Sequence, residues 1–276
     1  MKITFYGTRG SIAVPDLNFT QFGGNTSCIM LTLDSGHVII FDAGTGIRKL
    51  GNDLSKQSYD LAKEIGIVLS HTHWDHIQGF PFFGPAYDMK RKISFAICGR
   101  DRVGMDLYSI FATQMQEEFF PVPLAKMGAR FSFWQPDISE YTGELGNKWE
   151  ILKHNHPGNA YSYRFTEVDS GKVFVYCTDI EHGEEIDQNV VKLSRNADLL
   201  VHDAQYTPEE LPQRKGWGHS SWEQAIEVAE QADVKSLALF HHDPDHDDTF
   251  LQNLEKICQD RFPKAFFARE GSEIKL

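Results

Sequence analysis

Short apolar runs that stop at a histidine or an aspartate recur along this chain, and they constrain its fold more than any other feature. Residues 38–41 run into Asp42, residues 65–69 into Ser70 and His71, and residues 173–177 into Thr178 and Asp179. Residues 199–201 run into His202 and residues 237–240 into His241. Apolar runs this short, bounded by polar residues, read as buried strands. Polar groups at strand ends converge on one edge of a sheet, where loops can hold them on a rigid frame. Further strand candidates are residues 3–6, 28–33, 93–98 and 161–165, with Asp34-Ser35-Gly36 and Asp169-Ser170-Gly171 as hairpin turns. Helical spacing predicts a helix over 220–232, through Trp222, Ala225, Ile226, Val228 and Ala229, opened by a Ser220–Glu223 capping box. A second is expected over 250–258 and a third over 105–120, ended by Pro121-Val122-Pro123. Strands first, then strands interleaved with helices, suit two sheets face to face with helices outside. No repeat, low-complexity tract or composition break divides residues 1–276, so a single domain is expected.

Composition narrows the partners. Of 276 residues, 41% are hydrophobic and 24% charged, which suits a folded protein with a sizeable core. A formal net charge of −12 argues against RNA as a partner, because a phosphate backbone attracts cations. A small anionic substrate stays compatible where bound metal ions cancel charge locally. Cys28, Cys98, Cys177 and Cys258 form no C-x-x-C pair, which predicts buried free thiols in a reducing compartment. The N-terminal residues show no basic flank leading into an apolar segment, and no apolar run approaches the ~20 residues that span a bilayer. A cytoplasmic protein without a membrane partner is expected.

His71-Thr72-His73-Trp74-Asp75-His76 gathers histidines and a carboxylate into one short turn after a strand. Imidazole nitrogen and carboxylate oxygen are the donor set of Zn²⁺, Mn²⁺ or Fe²⁺. The plain alternative is a solvated turn that happens to be rich in histidine. Such a cluster, left uncoordinated, would titrate near neutral pH and add nothing to the fold.

This motif resembles the signature of the metallo-β-lactamase-fold hydrolases, and other segments extend the likeness. Asp42-Ala43-Gly44-Thr45-Gly46 resembles the glycine turn that supports the metal loop in that superfamily. His156-Pro157-Gly158, followed by Tyr161-Ser162-Tyr163-Arg164, resembles the third-histidine segment of its phosphodiesterase and tRNase Z branch. Tyr176-Cys177-Thr178-Asp179 resembles the segment with the bridging aspartate, and Leu239-Phe240-His241 the terminal ligand strand. The resemblance implies a four-layer αββα sandwich of two mixed sheets. It also implies two divalent ions, Zn²⁺ or Mn²⁺ with Fe²⁺ as an option. His71, His73 and His156 would hold one, Asp75, His76 and His241 the other, and Asp179 would bridge them. His154 competes with His156, and His242 with His241; the family segments favour His156 and His241. His246 and His37 read as solvated loop residues. His202-Asp203-Ala204-Gln205-Tyr206 and Gly218-His219-Ser220 resemble the carboxylate and histidine motifs of the tRNase Z branch, with Asp203 where that branch usually has Glu. His219, Asp203 and Asp75 are therefore the catalytic candidates, with His202 in support and His219 directly before an N-cap at Ser220.

Arg9 in Thr8-Arg9-Gly10-Ser11, and the loop Gly23-Gly24-Asn25-Thr26-Ser27, could face the site with hydrogen-bond donors. Phe80, Phe82, Phe83, Phe111, Phe119, Phe120, Phe131, Phe133 and Trp134 are mostly core candidates, a few of which could line a base-stacking pocket. The leading expectation is a dinuclear phosphodiesterase acting on cyclic nucleotides or another small phosphodiester. The alternatives are an RNA 3′-processing nuclease, a thioester or lactone hydrolase, and a metal-binding sensor module without turnover. The oligomeric state stays open, a homodimer included.

Overall fold

A computed structural model describes residues 1–56, 63–97, 104–143 and 145–276. The first sheet contains β1 (Lys2–Gly7), β2 (Cys28–Thr32), β3 (Val38–Phe41), β4 (Glu64–Val68), β5 (Lys92–Ala96), β6 (Arg130–Trp134) and β14 (Glu273–Lys275). Their order is β14-β1-β2-β3-β4-β5-β6. The β14/β1, β1/β2 and β2/β3 pairs are antiparallel, and the pairs from β3 to β6 are parallel. The second sheet contains β7 (Glu140–Thr142), β8 (Lys148–His154), β9 (Ala160–Thr166), β10 (Val173–Cys177), β11 (Leu199–Asp203), β12 (Leu237–Phe240) and β13 (Ala265–Phe267). It runs β13-β12-β11-β10-β9-β8-β7, parallel from β13 to β10 and antiparallel beyond. Both sheets are mixed, as expected. Cys98, and with it the end of the expected strand 93–98, lies outside the described residues; Cys28, Cys177 and Cys258 are buried free thiols.

The sheets meet through aromatic side chains. Phe41 packs on Phe174 and Tyr176 at ring distances of 5.2 and 5.3 Å, and Phe5 on Phe240 at 6.3 Å. The Tyr163 hydroxyl donates to Leu69 O across the same layer at 2.8 Å. A separate apolar cluster lies on the other face of the second sheet. There α4 (Gln188–Ser194), α5 (Trp222–Gln231) and α6 (Asp248–Arg261) cover Val175, Leu200 and Leu239. β10, β11 and β12 are buried along their whole length, which is why they read as continuous apolar runs and not as alternating ones. On the first sheet, α1 (Ile47–Lys56) packs against β1, and α3 (Leu107–Gln114) against β6.

Element boundaries differ from the sequence reading at several ends, and three of the differences have a clear cause. The capping box of α5 is Ser221–Gln224: the Ser221 side chain accepts from Gln224 N, and the Gln224 side chain accepts from Ser221 N. Ser220 is instead spent on the site, donating from its amide to Asp203 Oδ1 and from its hydroxyl to Ile180 O. β11 continues through His202 and Asp203 because both pair with neighbouring strands. α3 stops at Gln114, where Met115 turns its side chain into the core.

Parallel pairing sets the position of the site. β3 and β4 run side by side in one sheet, and β10, β11 and β12 in the other, so their C-terminal ends share an edge. Asp42, Asp179 and His241, just beyond β3, β10 and β12, have φ of 59°, 55° and 64°. These left-handed residues turn the chain sharply and aim their side chains along the edge.

Candidate active site

The motif after β4 forms a short helix, α2 (Trp74–Ile77), with His73 at its N-cap position. The Asp42 turn holds it: Ala43 N donates to His76 O at 2.7 Å, and Gly79 N donates to Ala43 O at 3.0 Å. The approach is so close that a Cβ on Gly44 would lie 2.3 Å from Asp75 O, which is why glycine stands there. Thr26 and Thr45 lock the same turn by mutual amide-to-hydroxyl hydrogen bonds of 2.8 and 2.9 Å.

Three groups able to hold a metal result, of which two contain the expected ligands and the third, Asp203, His219 and His241, shares His241 with the second of them. The imidazoles of His71, His73 and His156 converge in the first, and Asp75, His76, Asp179 and His241 in the second, with donor atoms in each group within 4.8 Å of one another. Asp179 faces both: Oδ1 lies 3.8 Å from His71 Nε2 and 3.8 Å from His156 Nε2, while Oδ2 lies 3.2 Å from His76 Nε2 and 3.3 Å from His241 Nε2. The structure brings His156, not His154, to the first cluster. It brings His241, not His242, to the second; His242 donates to Ala268 O.

Neighbours fix the tautomers. His156 Nδ1 donates to Gly218 O, His76 Nδ1 to Asp42 Oδ2, and His241 Nδ1 to Gln205 Oε1, at 2.9, 2.8 and 2.9 Å. Each turns its Nε2 inward, the usual arrangement of a metal-binding imidazole. His71 Nε2 and His76 Nε2 are buried without a hydrogen-bond partner. Buried ring nitrogens left without partners beside carboxylates are costly unless a cation joins them, so this donor set fits divalent metal ions. Burial pushes the titration of His71, His73 and His156 down, and neighbouring imidazoles add to this. Burial also opposes charge on His76, but Asp179, Asp75 and Asp42 outweigh it and hold its titration well above the usual histidine range. Asp75 and Asp179 are themselves buried, yet the surrounding histidines keep both carboxyls well below the usual range.

Asp203 forms the floor beside the clusters. Its Oδ2 accepts from His219 Nδ1 at 2.9 Å and from Asp179 N at 3.0 Å, and its Oδ1 accepts from Ser220 N at 2.9 Å. His219 stacks on His241 at 5.0 Å, two residues before the N-cap of α5. Its burial disfavours charge, but Asp203 outweighs that and raises the pKa to about 9. His202 donates from Nδ1 to Asp203 O, a supporting contact. Gln205, which orients His241, and Ser11, whose amide donates to Asp75 Oδ2 at 2.8 Å, were not singled out individually for these contacts. Neither leaves a local signal, because each acts across the sandwich.

Other candidates lie elsewhere. Arg9 is fully buried and ties loops together, donating to Gly23 O, Asp243 O and His246 O. Asn25 bonds to Glu270. His246 is buried, paired with Glu210 and stacked on Phe250, so it is not solvated; His37 is exposed in its hairpin, as expected. Phe80, Phe83 and Phe111 are core residues, whereas Phe82, Phe119 and Trp134 are exposed.

Residues 37–242 match the family model described as the Beta-lactamase superfamily domain. The chain belongs to this family, and it is a metallo-β-lactamase-fold hydrolase. Ribonuclease Z of Picrophilus torridus is 25% identical over 319 aligned residues that cover 100% of this chain and 96% of that protein. Among solved structures, YhfI from Bacillus subtilis, a metallo-beta-lactamase fold protein, aligns with a TM-score of 0.71 at 21% identity, covering 99% of this chain and 98% of its own. Human tRNase Z, short form, aligns at 0.70 and 19% identity, covering 100% and 99%. A diphosphatase from the PhnP family aligns at 0.70 and 17%, covering 100% and 97%. The expectation that net charge argues against RNA as a partner is corrected here: relatives matching the whole chain are named Ribonuclease Z. Net charge sums an entire surface, whereas a nucleic acid meets one local patch of it. Among the described residues, no helix is long and apolar enough to cross a membrane.

Proposed function

We propose that this chain, acting as one domain, is a phosphodiesterase that hydrolyses a nucleotidyl phosphodiester, with RNA ends among its substrates. The observation that carries the reading is the Asp203–His219 pair set against a donor set divided by Asp179. His71, His73 and His156 would hold one divalent ion, Asp75, His76 and His241 the other, and Asp179 would touch both. Zn²⁺ or Mn²⁺ suits these donors, and Fe²⁺ is served by the same types. Bound there, such ions supply nucleophile activation and charge stabilisation at a phosphoryl group. Asp203 holds His219 by Nδ1, so Nε2 is the atom that gives a proton to the departing oxygen. Asp75, fixed by Ser11 N, keeps a carboxylate beside His241 and His76. Ribonuclease Z relatives spanning the chain support an RNA substrate.

Of the seven donors, His73 is the exposed one, so the centre is reached from its side. We take that side as the opening through which an RNA end or a small ester reaches the centre. The same opening admits a cyclic nucleotide, which is the second reading. The test is turnover by metal-loaded protein of precursor tRNA, 2′,3′- and 3′,5′-cyclic nucleotides, bis(p-nitrophenyl) phosphate, thioesters and lactones, with metal content measured in parallel. Phosphodiester cleavage with two ions per chain is expected. Thioester or lactone cleavage alone, or no turnover by the loaded protein, overturns the reading.

A further inference from the structure

We propose that the exposed stretch 211–217 recognises the nucleoside of the substrate, with Trp217 stacking on a base and Arg214 pairing with an adjoining phosphate. The inference rests on the phosphodiesterase reading above. Residues 212–217 are exposed and lead straight into buried Gly218 and His219. The Arg214 guanidinium lies over the Trp217 ring at 4.7 Å and over the Tyr206 ring at 6.0 Å. Tyr206 in turn stands edge-on to His219 at 5.9 Å. Contacts therefore run without a gap from the proton donor to an indole that is 56% exposed.

The stretch is pinned to the site. Glu181 accepts hydrogen bonds from Gly216 N and Gly218 N, and Trp217 N donates to Arg214 O. Gly218 O receives His156 Nδ1, and a Cβ on Gly218 would lie 2.1 Å from that nitrogen, at a φ of +91°. Trp217 thus sits at a fixed place relative to His156 and His219. The Arg214 guanidinium makes no hydrogen bond or ion pair among the described residues, in a chain of net charge −12 where carboxylates are plentiful. A guanidinium stacked between two rings keeps its N–H edges free for phosphate oxygens. An exposed indole face stacks on any base. An apolar protein surface would use Trp217 but would leave Arg214 unpaired, so charge complementarity favours a nucleotide.

The test uses the metal-loaded full chain with two substrates that release the same p-nitrophenolate: thymidine 5′-(p-nitrophenyl phosphate) and methyl p-nitrophenyl phosphate. The wild type is expected to prefer the nucleoside ester in kcat/KM. Trp217→Ala and Arg214→Ala should each cut that preference by about tenfold, mostly through KM, the size expected for one lost stacking or charge contact. Trp217→Phe should restore most of it. Adenosine monophosphate should quench indole fluorescence in the wild type and not in Trp217→Ala. No nucleoside preference in the wild type, or a preference unchanged in both alanine variants, overturns the inference while leaving the phosphodiesterase reading intact. Failure of the wild type to cleave either ester overturns that reading and the inference with it.

Discussion

His71, His73 and His156 form a cluster of imidazoles alone, whereas Asp75, His76, Asp179 and His241 set carboxylates among imidazoles. The first cluster is partly open at His73, and the second is buried throughout. Burial lowers the titration of all three histidines in the first, so their lone pairs are free at neutral pH. In the second, His76 is held protonated by Asp179, Asp75 and Asp42 against the effect of burial. By these directions a metal ion entering the second cluster would displace a proton, and one entering the first would not. The two neighbouring clusters thus differ in how they couple to pH, because of where the carboxylates lie.

Asp179 is the point at which the comparison breaks completely. Asp179→Ala removes the carboxylate facing both clusters, and we expect kcat to fall by about 10³-fold or more, the upper end for one lost electrostatic partner. Metal analysis should show at least one ion gone while circular dichroism stays native. Near-normal turnover with both ions retained would show that another group joins the clusters. His219 belongs to neither cluster in this reading, so its loss should spare both. His219→Ala should keep two ions and lower kcat on an alkyl or nucleoside phosphodiester by about 10²–10⁴-fold. The loss should be much smaller on bis(p-nitrophenyl) phosphate, whose leaving group needs no proton. Loss of an ion in this variant would make His219 a ligand.

A matched pair of variants should separate the clusters. Asp42→Asn places a donor where His76, Ser70 and Tyr176 all donate, and should weaken metal binding at the second cluster by about 10–100-fold. Gly218→Ala pushes against His156 and should weaken the first cluster instead. Competition with a chromophoric chelator reads both affinities; equal effects on both sites would erase the distinction. The smallest expected effect is in pH. Below the raised pKa of His76, binding at the second cluster should release about one proton, so its affinity rises about tenfold per pH unit. Above the lowered titrations of His71, His73 and His156, binding at the first should be flat. Calorimetry in buffers of different ionisation enthalpy measures the proton count, and identical counts at the two sites would contradict the pKa ordering.

How well the sequence announced each part follows from the same physics. β12 matches its apolar run because a parallel strand covered on both faces needs apolar residues throughout. β8, Lys-Trp-Glu-Ile-Leu-Lys-His, went unread because its partial exposure puts charge between Trp149 and Ile151. α1 lies outside the sequence reading, although Ile47, Leu50 and Leu54 share one buried face at helical spacing. The turn His71 to His76 was legible because its donors are contiguous. Asp203 and His219 were found through motif resemblance, although the hydrogen bond joining them spans distant segments. The grip of Asp42 on His76 and of Gln205 on His241 was not legible, since partners brought together by strand order leave no local period. The Ser220 cap was misplaced by one residue because Ser220 and Ser221 look alike locally, and only Asp203 distinguishes them.

The left-handed backbone at Asp42, Asp179 and His241 has a further consequence for anyone evolving this protein. A side chain held in that conformation is a small standing destabilisation, and glycine or asparagine relieves it. At Asp42 that relief is outweighed, because His76, Ser70 and Tyr176 would be left as buried donors without an acceptor. A library screened only for thermal survival should therefore retain Asp42, so this strand end is kept by stability as well as by the site it builds.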